Sequence, residues 1–183
     1  DVLVIGAGIA GASVGWRLAG RRSVLLVERE SQPGLHSTGR SAAMFMESYG
    51  PAGVRALTRA SRAFYESPPA GFTAAPLLAR RGSLYLATHG QQALLERTEA
   101  ELSAHGGIVE RLGAEATLAR VPCLRPEVVH GSLYEPAAED IDVHALHQGF
   151  LRGVKAAGGA VWTDAEVTGA RHDGTRWHVA LAD

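Results

Sequence analysis

Two short apolar runs with a glycine-spaced turn between them constrain this chain more than any other feature. Val2-Leu3-Val4-Ile5 stops at a glycine, and Gly6-x-Gly8-x-x-Gly11 follows. A helical stretch then reaches about Ala19, where Gly20 stops it. Val24-Leu25-Leu26-Val27 is the second run and closes on Glu28. Continuous apolar runs of this length predict strands buried on both faces of a parallel sheet. Strand, helix and strand within 28 residues make a right-handed βαβ unit, because only that crossover packs back onto the sheet.

In that context the three glycines have separate duties. Gly6 permits a tight turn, Gly8 lets backbone approach a pyrophosphate, and Gly11 lets helix and strand pack closely. The free N–H groups of Ile9 and Ala10 open the helix, and the helix dipole favours an anion there. Glu28, at the end of the second strand, can accept hydrogen bonds from both ribose hydroxyls and repels a 2′-phosphate, which disfavours NADP. These residues predict dinucleotide binding but do not by themselves separate FAD from NAD. The stretch Ser37-Thr38-Gly39-Arg40-Ser41-Ala42-Ala43 bears on that choice. Its hydroxyls, backbone amides and one cation suit phosphate oxygens, and its small residues let a flat group lie against backbone. An N-cap with a short helix is the plainer alternative for the same residues.

The remainder reads as a mixed insert followed by a return to the first domain. Val54, Leu57, Ser61, Phe64 and Tyr65 share one side of a helix, while Arg55, Arg59 and Arg62 form its solvated side. Pro68-Pro69-Ala70-Gly71 ends that helix, and Leu84–Leu86 and Val129–Tyr134 read as strands around a helix over Gln91–Ala104. Asp142 is an N-cap for a helix carrying Val143, Leu146, His147, Phe150, Leu151 and Val154, which Gly158-Gly159 stops before the strand Ala160–Trp162. Asp173-Gly174 signals a hairpin. Of 183 residues, 46% are apolar and 20% charged, with a net charge of −1, which is globular composition without the basic footprint of a nucleic-acid binder. No apolar stretch approaches the ~20 residues of a membrane span. Cys123 is the one cysteine, so an internal disulfide is excluded; it reads as a buried or inert thiol.

Several segments together resemble the FAD-dependent amino-acid oxidoreductases of the D-amino-acid oxidase, glycine oxidase and sarcosine oxidase superfamily. Within it, the bacterial FAD-dependent D-arginine dehydrogenases are most similar. The segments are Leu3–Ser13, Leu26–Glu30, His36–Ala43, Arg55–Phe64, Pro68–Phe72 and Asp140–Gly153. The resemblance implies an α/β fold: a Rossmann-like FAD-binding domain of the glutathione-reductase type over 1–43 and 142–183, with a partial α+β substrate domain over 44–141. The fold is expected to be incomplete at the C-terminus, since the strand-like run ending at Leu181 has no closing element. The chain also opens at Asp1 without a Met, so a leader would lie outside it; the cytoplasm is the expected compartment.

The same resemblance implies extended, non-covalent FAD, with Arg40 where covalent relatives carry a His. Gly6, Gly8, Ile9, Ala10, Gly11 and Glu28 would hold it, with Arg29 beside the adenosine. Ser37, Thr38, Gly39, Arg40, Ser41, Ala42, Ala43 and Met44 would pass along the pyrophosphate, ribityl chain and flavin, and the Val167 backbone would meet the adenine. Tyr49 matches a tyrosine at the substrate entrance. Met44 stands where D-arginine-handling relatives carry His, and Ser83 where they carry an acid, so a guanidinium substrate loses its partner. The expected reaction is oxidation of an amino acid, D-amino acids favoured, or a related small amine. Oxidation of a 2-hydroxy acid or polyol phosphate is the alternative within the superfamily, and a non-catalytic nucleotide-binding module the alternative outside it. No catalytic acid or base is assigned, and the electron acceptor is left open. His144 and His147 have the i, i+3 spacing of metal ligands, but His147 lies on the apolar stripe and no third ligand follows, so no metal is expected. Glu139, Asp140 and Asp142 read as helix-capping acids.

The uncovered sheet edges that this reading implies carry a test. Residues 1–183 expressed alone should aggregate or bind FAD weakly, whereas a soluble monomer with stoichiometric, tight FAD would contradict it.

Overall fold

A computed structural model describes residues 1–182. The elements in chain order are β1 (Val2–Ile5), α1 (Ile9–Ala19), β2 (Val24–Val27), β3 (Met44–Phe45), α2 (Ala52–Glu66), β4 (Leu78–Arg80) and β5 (Ser83–Thr88). There follow α3 (Gln92–Ala104), β6 (Glu110–Gly113), α4 (Ala114–Arg120), β7 (Val129–Glu135), β8 (Glu139–Ile141) and α5 (Val143–Ala156). The last three are β9 (Ala160–Trp162), β10 (Val167–His172) and β11 (Trp177–Leu181). The chain divides into two compact units: Asp1–Ala43, Pro68–Leu77 and Asp142–Asp183 form one, Met44–Ser67 and Leu78–Ile141 the other.

The first unit is built on the parallel sheet β1-β2-β9, in register Val2 to Val24 and Leu25 to Ala160. Helices α1 and α5 touch each other as well as this sheet, so both lie on one of its faces. Burial on both faces is therefore a mistaken expectation for β1. Leu3 and Ile5 are exposed, because α1 and α5 cover only the opposite face, toward which Val4 and Leu26 point. Asp142 caps α5 by accepting from the Ala145 amide at 2.8 Å.

Pro68–Leu77 packs in this unit although its position in the chain places it inside the insert. Phe72 packs edge-on against Trp16 and Phe150, with centroids 5.6 and 5.1 Å away. Two glycines on α5 make room. A Cβ on Gly149 would lie 2.4 Å from the Phe72 ring, and one on Gly153 2.2 Å from the Trp16 indole. Glycine inside a helix costs about 1 kcal/mol relative to alanine, and aromatic pairing of about 0.5–1.5 kcal/mol per pair offsets it here. Arg152 Nη2 donates to the Phe72 carbonyl at 2.6 Å, and the Asp142 amide to the Leu77 carbonyl at 2.9 Å, which fixes the middle and the C-terminal end of the segment.

The second unit holds two antiparallel sheets, β3-β8-β4 and β5-β7-β6. Ala87, Leu95, Leu102 and Leu133 form a core between α3 and the second sheet. The arginine side of α2 is not simply solvated, as its pattern suggested. Arg55 is buried and donates to the Gly50 carbonyl, while Val54 and Leu57 are exposed. Arg62 lies 4.8 Å over the Phe45 ring and pairs with Glu47, Glu66 and Glu139, Glu47 being the main cause of its raised pKa. Pairing of Arg62 with these carboxylates and of Arg55 with a backbone carbonyl holds both guanidiniums against the protein, while part of the small apolar stripe stays exposed. Glu139 and Asp140 accordingly sit in β8 as ion-pair partners rather than as helix-capping acids. Cys123 is exposed, not buried.

In the β10–β11 hairpin, Asp173 Oδ1 accepts from the Thr175 and Arg176 amides, both at 2.9 Å. His178 bonds Oδ2 at 2.6 Å. His178 first, then those amides, holds the Asp173 carboxyl far below the usual carboxylate range. With the folded value depressed, this contribution is present throughout the neutral range and is lost only as pH falls through the depressed value. Asp173→Asn should therefore loosen the turn at pH 7 and leave it little changed in strong acid, as read by amide chemical shifts. Gly153→Leu should lower stability by about 1–3 kcal/mol through overpacking against Trp16, measured as a fall in thermal midpoint.

Candidate functional site

The site begins where β1 ends. Gly6 adopts φ +93°, a left-handed conformation that a side chain disfavours, and turns the chain toward α1. A Cβ on Gly11 would lie 1.9 Å from the Gly6 carbonyl oxygen, so only glycine lets the first turn of α1 approach the strand end. Gly8 is the N-cap and offers no side-chain cap, and the first turn of α1 carries no acidic residue. The positive end of the helix is left for an anion from elsewhere.

Three side chains from distant segments hold this turn. Glu28 Oε2 accepts from the Ala7 amide at 2.9 Å and Oε1 from the Glu30 amide at 3.2 Å. Thr38 Oγ1 accepts from the Ile9 amide at 2.9 Å. The buried His147 Nε2 meets the Ala7 carbonyl at 2.7 Å, so this ring nitrogen carries the proton and donates. In the sequence His147 reads as a residue of the apolar stripe, and this role is not apparent there. A lone imidazole on an otherwise apolar stripe was the only signal available.

Thr38 lies in a compact turn, not a helix. The Gly39 amide donates to the Gly34 carbonyl at 2.7 Å, and the Arg40 amide to the His36 carbonyl at 3.0 Å. Gly34, at φ +83°, abuts His147, where a Cβ would lie 2.9 Å from the ring. A cleft of about 560 Å³ opens between this turn and α5, lined by Gln32, Thr38, Ser41, His144 and His147. His36 Nε2 bonds Glu30 Oε1 at 2.7 Å and Arg29 Nε bonds the same oxygen at 3.0 Å; His36 is the chief cause of the lowered Glu30 pKa. Ala43 ends the segment at φ +39°, a strained position for a residue with a Cβ.

The turn from β9 comes to the same place. The Ala165 amide donates to the Glu28 carbonyl at 2.8 Å and that of Asp164 to the Glu30 carbonyl at 3.2 Å, which brings the start of β10, with Val167, beside the Glu28 backbone. Gly6, Gly8, Ile9, Gly11, Glu28, Thr38 and the approach to Val167 therefore converge. Arg29 reaches this neighbourhood through Glu30. Met44 and Tyr49 belong to the other unit. There Met44 and Ser83 line one cleft, while Tyr49 is 66% exposed and lies outside that lining.

The residues present fit a dinucleotide. Thr38 Oγ1 takes the Ile9 amide, but the first turn of α1 carries no acidic residue and its positive end suits a pyrophosphate. Each Glu28 oxygen accepts one amide at present and has a second acceptor site for a ribose hydroxyl. The FAD dependent oxidoreductase family, DAO, matches residues 1–183. The chain belongs to that family. Its fold is that of glycine oxidase from Geobacillus kaustophilus (24% identity, TM-score 0.84), covering 99% of this chain and 51% of that one. Iminodiacetate oxidase from Chelativorans sp. BNC1 is similar at 24% identity and TM-score 0.78, over 100% of this chain and 51% of the other. L-α-Glycerophosphate oxidase from Mycoplasma pneumoniae, with FAD bound, follows at 18% identity and TM-score 0.80, over 99% and 49%. The chain thus spans about half the length of these structures. FAD is the cofactor of the family, and its mixed α/β fold is the one observed. No helix among the described residues is long and apolar enough to cross a membrane.

Substituting Gly11→Val should abolish FAD retention by the natural protein, since the added carbons cannot coexist with the Gly6 carbonyl. The flavin absorbance band of the purified variant reads this directly.

Proposed function

We propose that this chain supplies the FAD-binding unit and part of the substrate-binding unit of an enzyme that oxidatively deaminates an amino acid, D-amino acids favoured. The observation that carries this reading is the clamp of Glu28, Thr38 and His147 on the Gly6–Gly11 turn, in a chain of this family. In the reading, the unit containing residues 1–43 and 142–182 holds FAD without a covalent bond, and the unit around Met44 and Ser83 meets the substrate. Ile9, Ala10 and Thr38 face the pyrophosphate, Glu28 the ribose, Arg29 and the Val167 backbone the adenosine. Ser37 and Gly39–Met44 run along the ribityl chain and flavin, with Arg40 offsetting phosphate charge.

Bound FAD supplies a two-electron acceptor at flavin N5. A neutral substrate amine would then lose its Cα–H as a hydride to that acceptor, its nitrogen lone pair forming the C=N bond of an imine. The imine loses its extra proton to solvent and adds water, giving a 2-oxo acid and ammonia. What these residues contribute is binding, orientation and exclusion of water. Tyr49 orients the substrate at the entrance. Met44 and Ser83 stand where D-arginine-handling relatives carry His and an acid, which disfavours a guanidinium side chain.

Oxidation of a 2-hydroxy acid or polyol phosphate is the second reading, supported by the likeness to glycerophosphate oxidase. Anaerobic mixing with D-amino acids, L-amino acids and hydroxy acids separates the two. Bleaching of the flavin by a D-amino acid is expected; bleaching by hydroxy acids alone would transfer the assignment to the second reading. Tyr49→Phe should raise KM for the amino acid about tenfold, the worth of one hydrogen bond, with the flavin spectrum unchanged.

A further inference from the structure

Outside the nucleotide site, the feature that points most directly to a ligand is the cleft of about 470 Å³ lined by Met44, Arg81, Gly82, Ser83, Arg120 and Tyr134. Its charge is one-sided. Two guanidiniums line it, and no carboxylate does. Arg81 Nη1 is paired with Asp140 at 2.8 Å, which leaves its other donors uncommitted to that carboxylate. The carboxylate nearest Arg120 is Glu110 at 3.8 Å, too far for a hydrogen bond. Glu135 stands opposite Ser83 in the β5–β7 ladder, but it is 4% exposed and is occupied by Ser48 at 2.7 Å and Tyr85 at 3.3 Å. It does not line the cleft, so the two guanidiniums are offset only in part, by Asp140 and Glu110.

The Arg120 guanidinium is also held in place. It lies 4.0 Å over the Tyr134 ring. Tyr134 in turn rests on Gly82, where a Cβ would fall 2.4 Å from the ring and where φ is +78°. Any other residue at 82 would displace the tyrosine and strain the turn. A guanidinium seated over a ring still has its N–H groups in its own plane, where they can pair side by side with two oxygens of one anion. Met44 supplies an apolar wall, and the Ser83 hydroxyl can donate to an oxygen.

We propose that this cleft selects substrates whose side chain is a short methylene stem ending in a carboxylate, with Arg120 as the specificity-determining residue and Tyr134 and Gly82 as positioning residues. The proposal rests on the deamination reading, in which Met44 and Ser83 face the substrate. It reverses the charge preference of the guanidinium-handling relatives: where they place an acid against a cation, this chain places cations against an acid.

The test uses the natural FAD-loaded protein and two readouts. Calorimetry follows binding of glutarate, inorganic phosphate and guanidinium without turnover. Anaerobic flavin bleaching compares D-glutamate, D-leucine and D-arginine. Glutarate should bind, and Arg120→Gln should weaken it about 10- to 100-fold, as expected on losing a charge-assisted pair. Arg120→Lys should restore part of that loss, and Arg97→Gln, an exposed charge on α3, should change nothing. D-Glutamate should bleach the flavin faster than D-leucine, and D-arginine slowest, with the advantage of D-glutamate lost in Arg120→Gln. Glutarate binding that is absent, or equal in Arg120→Gln and the parent, overturns the proposal. So does phosphate binding more tightly than glutarate, or D-arginine reacting fastest. If Arg120 governs glutarate binding but no amine bleaches the flavin, the deamination reading fails while the anion-selective cleft stands.

Discussion

The first unit depends on one close approach. The backbone of Gly11 lies against the Gly6 carbonyl at a distance that leaves no room for a methyl group. That contact sets how near α1 comes to the end of β1, and so where the amides of the turn point. Everything else at the nucleotide site is arranged around it. Glu28 takes the Ala7 amide, Thr38 the Ile9 amide, and His147 the Ala7 carbonyl. Three segments from elsewhere in the chain are thereby tied to one turn of about six residues. A preorganised turn loses less entropy on binding, which is how rigid backbone converts hydrogen bonds into affinity.

Helix α5 connects this site with the core of its unit. One side brings His147 to the turn, and Gly149 and Gly153 open the surface that receives Phe72 and Trp16. The glycines would weaken an isolated helix, but they admit rings that a larger side chain would exclude. The second unit stabilises itself differently, with a small aliphatic core under α3 and ion pairs gathered on Arg62. Its cleft inherits charge from arginines that structural pairing only partly neutralises.

Much of this was legible in the residues themselves. β1, α1 and β2 follow from two apolar runs and a glycine turn, and α5 from its Asp142 cap and apolar spacing, because local sequence decides both. The short strands β3, β4 and β8 were not legible. Each gains its hydrogen bonds only from a partner distant in the chain, as Met44 does from Asp140. The arginine side of α2 misled for a related reason: burial of Arg55 and the pairing of Arg62 depend on acids and carbonyls brought from other segments. His147 was visible as an oddity but not as a clamp, since its acceptor lies 140 residues away.

The sequence by itself determined the βαβ start, the turn that suits a dinucleotide and the acid that suits its ribose, because glycine spacing and strand length act over a few neighbouring residues. Only the tertiary structure decided which groups hold that turn, why Pro68–Leu77 packs with the first unit, and that Met44, Ser83, Arg81 and Arg120 share one cleft. Those outcomes turn on contacts between residues separated by tens of positions. The free energy of such contacts depends on burial and geometry that no local pattern encodes.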